Sequence, residues 1–285
     1  MPLKTDILGH QSPARDRSWT STDCLLYALG VGAGMDDPTG AELEYTTENT
    51  KAVVQRALPS MAVVLQAGGI EFSVLGTPDL TKLLHGSQGI ELHREIPVEG
   101  TLRTTGTVTG VWDKGAAAVV DFEAHTVLVD SGEALFTTRA SLFFRGEGGF
   151  GGDRGPSGPK VAAPDRAPDV AITYQTRSDQ ALLYRLNGDR NPLHSDPSFA
   201  AAGGFPKPIL HGLCSYGFTS RGLLHGLCGG DAAKFNSMDA RFASPVMPGE
   251  ALTIKMWHTG SGEAFFQTTA TDDRIVIDGG RCTFS

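Results

Sequence analysis

Apolar positions along this chain follow two periodicities, one helical and one strand-like, and the order in which they appear occurs twice. A polar start at Thr20 to Asp23 opens a helical run whose Leu25, Leu26 and Leu29 predict a buried side, and Gly30, Gly32 and Gly34 close it. LPSMAVVLQAGG, from Leu58, has a proline in front and a glycine pair behind, and reads as a short buried helix. From Gly89 the texture changes to β-rich runs: GIELHREI, TLRTTGTVTGVW, AAAVVDFEAHTVLV and EALFTTRASLFF. Gly, Pro, Asp or Lys divide them, as the turns of an antiparallel sheet would.

Residues Arg145 to Pro168 are too rich in Gly and Pro to order a core element. They divide the chain into residues 1–150, a linker at 151–168 and residues 169–285. Beyond the linker the elements start again. LLYRL at 182–186 echoes LLYAL at 25–29, PILHGLCSYGFTSRGLL corresponds to LPSMAVVLQAGG, and SMDARFASPVMPGEAL matches GIELHREIPVEGTL. Three echoes in one order imply an internal duplication of roughly 150 residues. Two helices followed by several long antiparallel strands predict an α+β fold, a sheet wrapped around one central helix. In the second copy that helix should present Ile209, Leu213, Tyr216, Ser220 and Leu224 along one face.

Composition narrows the function. A hydrophobic content of 40% and a charged content of 20% fit a globular protein, and no apolar run approaches the roughly 20 residues of a membrane span. The opening MPLKTDILGH lacks the apolar core of a secretory signal, so the cytoplasm is the expected location. Cys24, Cys214, Cys228 and Cys282 form no CxxC pair and no Cys/His metal spacing, and are expected to be reduced and buried. A net charge of -8 argues against nucleic-acid binding, and leaves any anionic ligand to be met by a few local cations.

The chemistry concentrates in YRLNGDRNPLHSDPSFAAAGGFPKPILHGL, from Tyr184 to Leu213. Gly188, Pro192 and Pro197 forbid a regular helix, so Asp189 and His194 should sit on an irregular loop. Pro208 signals a helix start and puts Gly212 in the first turn, with a backbone N–H that lacks an intrahelical partner. A carboxylate, an imidazole and a bare amide at a helix N-terminus can meet around one small substrate. Asp and His are also ordinary turn residues. Registering the repeats on LLYxL, however, puts Gly32 opposite Asp189 and Asp37 opposite His194, so only the second copy carries the pair.

GDRNPLHSDP followed by FPKPILHGL resembles the signature of the (R)-specific enoyl-CoA hydratases, the MaoC-like hydratase 2 family, and the resemblance extends over most of the chain in its two-domain form. It implies a double hot-dog fold and a hydro-lyase that adds water to trans-2-enoyl-CoA. By motif position, Asp189 and His194 would activate the water, Gly212 would receive the thioester oxygen and Asn191 would support the loop. His85, Gly86, Lys114 and Phe242 would contact the coenzyme A part of the substrate. The position before Gly-Asp, commonly Ser or Thr in the family, is Asn187 here. No metal or redox cofactor is implied, coenzyme A being part of the substrate. Hot-dog sheets often pair edge to edge, which leaves room for a homodimer. The first copy, without the dyad, would give its Ala, Val and Gly-rich helix to a long acyl chain.

Other assignments fit less well. The nearest rival is a dehydratase of the same fold acting on acyl-carrier-protein thioesters with the same residues in the opposite direction. A different class would be a hot-dog thioesterase, in which the same water attacks the carbonyl, or a non-catalytic acyl-CoA binding protein. The GxGxxG at Gly146, Gly148 and Gly151 is followed by prolines where a dinucleotide site needs a helix. Cys214 lies in an apolar helix, which would stabilise a thiolate poorly. His211 reads as a helix-start residue. LCSYG misses the first glycine of a nucleophile elbow, and His85, His93, His194 and His211 lack zinc spacing. Lys207 and Arg241 read as surface charges.

Overall fold

The computed structural model describes residues 3–66, 71–79, 82–156 and 162–285. The first part of the chain supplies β1 (Arg15–Trp19), β2 (Leu83–Leu92), β3 (Gly100–Asp113), β4 (Ala117–Leu128) and β5 (Ala134–Arg145). The second supplies β6 (Val170–Gln175), β7 (Phe235–Phe242), β8 (Ala251–Gly260), β9 (Glu263–Thr269) and β10 (Ile275–Phe284). All ten form one antiparallel sheet, ordered β1-β3-β4-β5-β2-β7-β10-β9-β8-β6. Read from its two edges inward, each half follows the same path, which is the duplication expressed as topology. The halves join where Ser87 to Glu91 of β2 pair with Arg241 to Ser237 of β7.

Among the described residues six α-helices accompany the sheet: α1 (Ser21–Gly30), α2 (Leu43–Thr46), α3 (Ala62–Leu65), α4 (Gln180–Tyr184), α5 (Pro197–Ala202) and α6 (Gly212–Cys228). α6 is the central helix, and every residue from Cys214 to Leu224 is buried. The amphipathic face expected there is therefore absent: the sheet covers part of the helix, and the segment from Tyr27 to Glu42 packs against the rest. One core runs through both halves, joining Trp19, Tyr27 and Phe136 to Phe218, Leu252 and Phe266. Gly32, at φ +78°, makes the turn after α1 possible, and a Cβ there would lie 2.5 Å from the Phe218 ring. Among the described residues no helix is long and apolar enough to cross a membrane.

One expectation about packing needs correcting. α1 buries Cys24, Tyr27 and Ala28, whereas Leu29 is 43% exposed. Tyr27 packs edge-on against Tyr184, its counterpart in the second repeat, with ring centroids 6.4 Å apart. Contact between the repeats therefore decides the buried face. The linker also begins as a docked segment: the Asp113 carboxylate accepts from the N–H groups of Gly149 and Gly151 at 2.9 and 2.7 Å. Residues 157–161, and the glycine pair Gly68 and Gly69 expected to end the first copy's second helix, lie outside the described residues.

Candidate active site

The segment from Arg185 to Leu210 is built from short turns and the brief helix α5, held by short polar side chains. Arg185–Asn187 form a single 3-10 turn, which Gly188 ends at φ 122°. The Asp189 carboxylate accepts the Asn191 N–H at 3.1 Å, and the Asn191 side chain accepts the Leu193 N–H at 3.0 Å. That second bond caps the turn Pro192–His194. Asn187 is buried, and its amide donates to the Tyr184 carbonyl at 2.9 Å. It thus supports the turn that precedes Asp189.

His194 is buried, with Nδ1 2.9 Å from the Ile209 carbonyl. A carbonyl only accepts, so Nδ1 carries the proton and Nε2 keeps its lone pair. His211 is fully buried; its Nε2 lies 3.3 Å from the Asp189 carbonyl oxygen, which assigns that nitrogen the proton. Its Nδ1 is then a bare lone pair, buried and without a hydrogen-bond partner among the described residues. The two imidazoles stack at 3.8 Å and 29°. Burial pushes the His194 pKa below its ordinary value. His211 is pushed down to about 4, by burial and then by His194. Both rings are neutral near pH 7.

Gly212 opens α6, and among the described residues nothing accepts from its N–H. The helix macrodipole places partial positive charge at that end, where it favours an incoming oxyanion. A Cβ on Gly212 would lie 3.3 Å from the Phe242 ring, so the missing side chain is what keeps the approach open. Phe242 in turn lies 4.9 Å from the His85 ring, on the neighbouring strand β2. Burial pushes His85 down to about 4, and its Nε2 is a buried atom with no partner among the described residues. Gly86 stands beside it at a bulge between His85 and Ser87, where a Cβ would meet the Ser141 carbonyl oxygen at 3.2 Å.

Asp189, His194, Gly212, Phe242, His85 and Gly86 therefore converge. Lys114 does not join them. It occupies the β3–β4 turn and donates from Nζ to the Arg154 carbonyl, with β4 and β5 between it and β2. Arg241 pairs with Asp278 at 3.1 Å, and Lys207 is exposed.

The sequence pattern did not disclose what His211 touches, because its partners are loop residues placed by tertiary folding. It also missed Glu42, Arg221 and His225, an ion cluster that joins the repeats. Asp189, His194 and His211 place one potential metal-ligand atom each within 4.8 Å of one another. The two histidines stack and each commits one nitrogen to a carbonyl, an arrangement suited to proton handling. Cys214 Sγ points at the Gly30 carbonyl, and burial raises its thiol pKa well above the ordinary value, which disfavours the thiolate a cysteine nucleophile needs.

Two family models match the chain: a MFE-2 hydratase 2 N-terminal domain over residues 18–146 and a MaoC like domain over residues 159–279. The enoyl-CoA hydratase ChsH3 of Mycobacterium tuberculosis is 44% identical, over 97% of this chain and 97% of its own. The 3-hydroxyacyl-thioester dehydratase Y of the same organism is 46% identical over 98% of each chain. Among solved structures, a MaoC-like dehydratase from Phytophthora capsici superposes with a TM-score of 0.86 at 32% identity, covering 98% of this chain and 97% of that one. A further Mycobacterium tuberculosis structure, described as a double hotdog, shares the fold with a TM-score of 0.62 at 14% identity, covering 97% of this chain and 96% of that one.

Proposed function

This chain belongs to the MaoC-like hydratase 2 family, and on that footing we propose that it catalyses the reversible hydration of a trans-2-enoyl-CoA to the (3R)-3-hydroxyacyl-CoA in fatty acid metabolism. The observation that carries the assignment of residues is the His194 tautomer. With Nδ1–H tied to Ile209, the Nε2 lone pair is the one available to take a proton from water held beside the Asp189 carboxylate. The hydroxide adds to C3 and negative charge moves to the thioester oxygen. There the Gly212 N–H and the helix terminus receive it, a contribution of about 3 kcal/mol for one such donor. The proton taken by the dyad returns to C2, so one water is consumed and nothing is oxidised.

His85, Gly86 and Phe242 form the wall along which the pantetheine arm would run, and Lys114, at the sheet's far end, would meet a phosphate. The reaction so written calls for no metal or redox group. The first copy, which lacks the dyad, is assigned to the acyl chain, its Ala and Val-rich α3 facing it. Turnover across chain lengths checks this, and a sharp limit at four carbons would count against it. The four free, buried cysteines suit the reducing cytoplasm, and the sheet edges β1 and β6 are the surfaces a homodimer would use.

One assay tests the reaction. Crotonyl-CoA is mixed with the protein while enoyl absorbance and free thiol are followed together. Loss of absorbance without thiol is the expected result; thiol release would mean a thioesterase, and silence in both a binding protein. Asp189→Ala and His194→Ala should each lower kcat by about 100-fold or more with the fold intact. Normal turnover in both would refute the assignment.

A further inference from the structure

His211 reaches all three groups that this reaction uses. Its ring stacks on His194 at 3.8 Å, and its Nε2 meets the Asp189 backbone carbonyl at 3.3 Å. Its own peptide carries the Gly212 N–H, and its carbonyl starts α6 by accepting from Cys214 and Ser215 at 3.0 and 3.2 Å. A residue that merely began a helix would need none of this. Ser, Thr, Asp and Asn serve there because their side chains cap the first turn, and the His211 side chain makes no cap bond. The ring is instead 0% exposed, with an Nδ1 that has no hydrogen-bond partner among the described residues, a burial that costs stability and calls for a reason.

We propose that His211 is a positioning residue of the hydration site: as a neutral Nε2–H imidazole it ties down the Asp189 backbone, packs against the face of His194 and fixes the Gly212 peptide. The three reacting groups thereby hold one mutual geometry. The proposal rests on the roles given above to Asp189, His194 and Gly212. The other titratable and charged groups around the stacked pair are Asp189, Arg185 and Tyr184; the Tyr184 ring is 5.0 Å from that of His211. A protonated His211 would face both His194 and Arg185, so the neutral form is the one that fits.

Two substitutions separate positioning from plain packing. His211→Phe keeps the ring face and loses the donor to Asp189, whereas His211→Gln keeps a donor and loses the ring that shields His194 from water. With native circular dichroism confirmed, His211→Phe should lower kcat about 10- to 100-fold while KM for crotonyl-CoA stays within about threefold. His211→Gln should move the acid limb of kcat/KM to higher pH, because a hydrated imidazole regains basicity. If His211→Phe does not fold, the limb of His211→Gln decides alone. Parental kcat in His211→Phe together with an unmoved limb in His211→Gln overturns the proposal, provided His194→Ala is inactive. Activity in His194→Ala would instead overturn the reading of the dyad itself.

Discussion

Replacing Arg221 with Met removes half of an ion pair that joins the two repeats. The Arg221 side chain is 2% exposed and donates to both Glu42 carboxylate oxygens, at 2.8 and 2.7 Å, and to the Val31 carbonyl at 2.9 Å. Glu42, with its side chain 12% exposed, also accepts from the Gly34 N–H at 2.8 Å and meets His225 Nε2 at 3.0 Å. Burial alone would raise its pKa; hydrogen bonds from His225 and Arg221 overcome that and bring it to about 2. Deleting one member of a buried pair typically costs about 3–5 kcal/mol. Since His225 and Gly34 remain, the lower end applies, and about 3 kcal/mol corresponds to a fall of about 6–12 °C in Tm for a chain of this size. The sign with pH follows from a depressed carboxylate: its stabilisation is present above the unfolded value of about 4.3 and is lost as pH falls through the folded value. Urea denaturation followed by circular dichroism should therefore show the widest gap between parent and variant above pH 5 and a shrinking one toward pH 2. Glu42→Leu combined with Arg221→Met should recover most of the loss. A gap that ignores pH, or one below about 1 kcal/mol at pH 7, would refute the clamp.

Gly212→Ala places a methyl 3.3 Å from Phe242, so kcat should fall about 10- to 100-fold with little change in Tm; steady-state kinetics beside a thermal melt tests it. Because burial lowers the His194 pKa, the base stays unprotonated below the usual imidazole range, and kcat/KM should hold its plateau below pH 6.5, declining only under more acidic conditions. Iodoacetamide at pH 7 should leave activity intact, since all four cysteines are buried and burial raises the Cys214 thiol pKa; rapid inactivation would revive a cysteine mechanism.

Strand content and repeat order were legible in the chain because both depend on local patterning. The β-rich runs from Gly89 to Phe144 appear as β2 to β5, although β2 starts earlier, at Leu83. β1 and β6 went unread: RDRSW and VAITYQ are short edge segments with little to distinguish them in isolation. Glu42 and Arg221 stand 179 residues apart, and no local rule links them. The leucines of α1 misled for the same reason, since periodicity finds an apolar stripe without saying what will cover it.

By itself the sequence determined that the chain is duplicated, that its second copy bears an acid and an imidazole on a turn-rich loop, and that a glycine stands near the start of the helix after them. These are matters of spacing, composition and backbone permission. Only the tertiary structure decided that α6 would be enclosed on every side, that Tyr27 would be buried against the other repeat while Leu29 stays exposed, and that His211 would stack on His194. Each of those depends on which surfaces the closing sheet brings within a few ångströms of one another, a property of the whole fold that no stretch of residues carries alone.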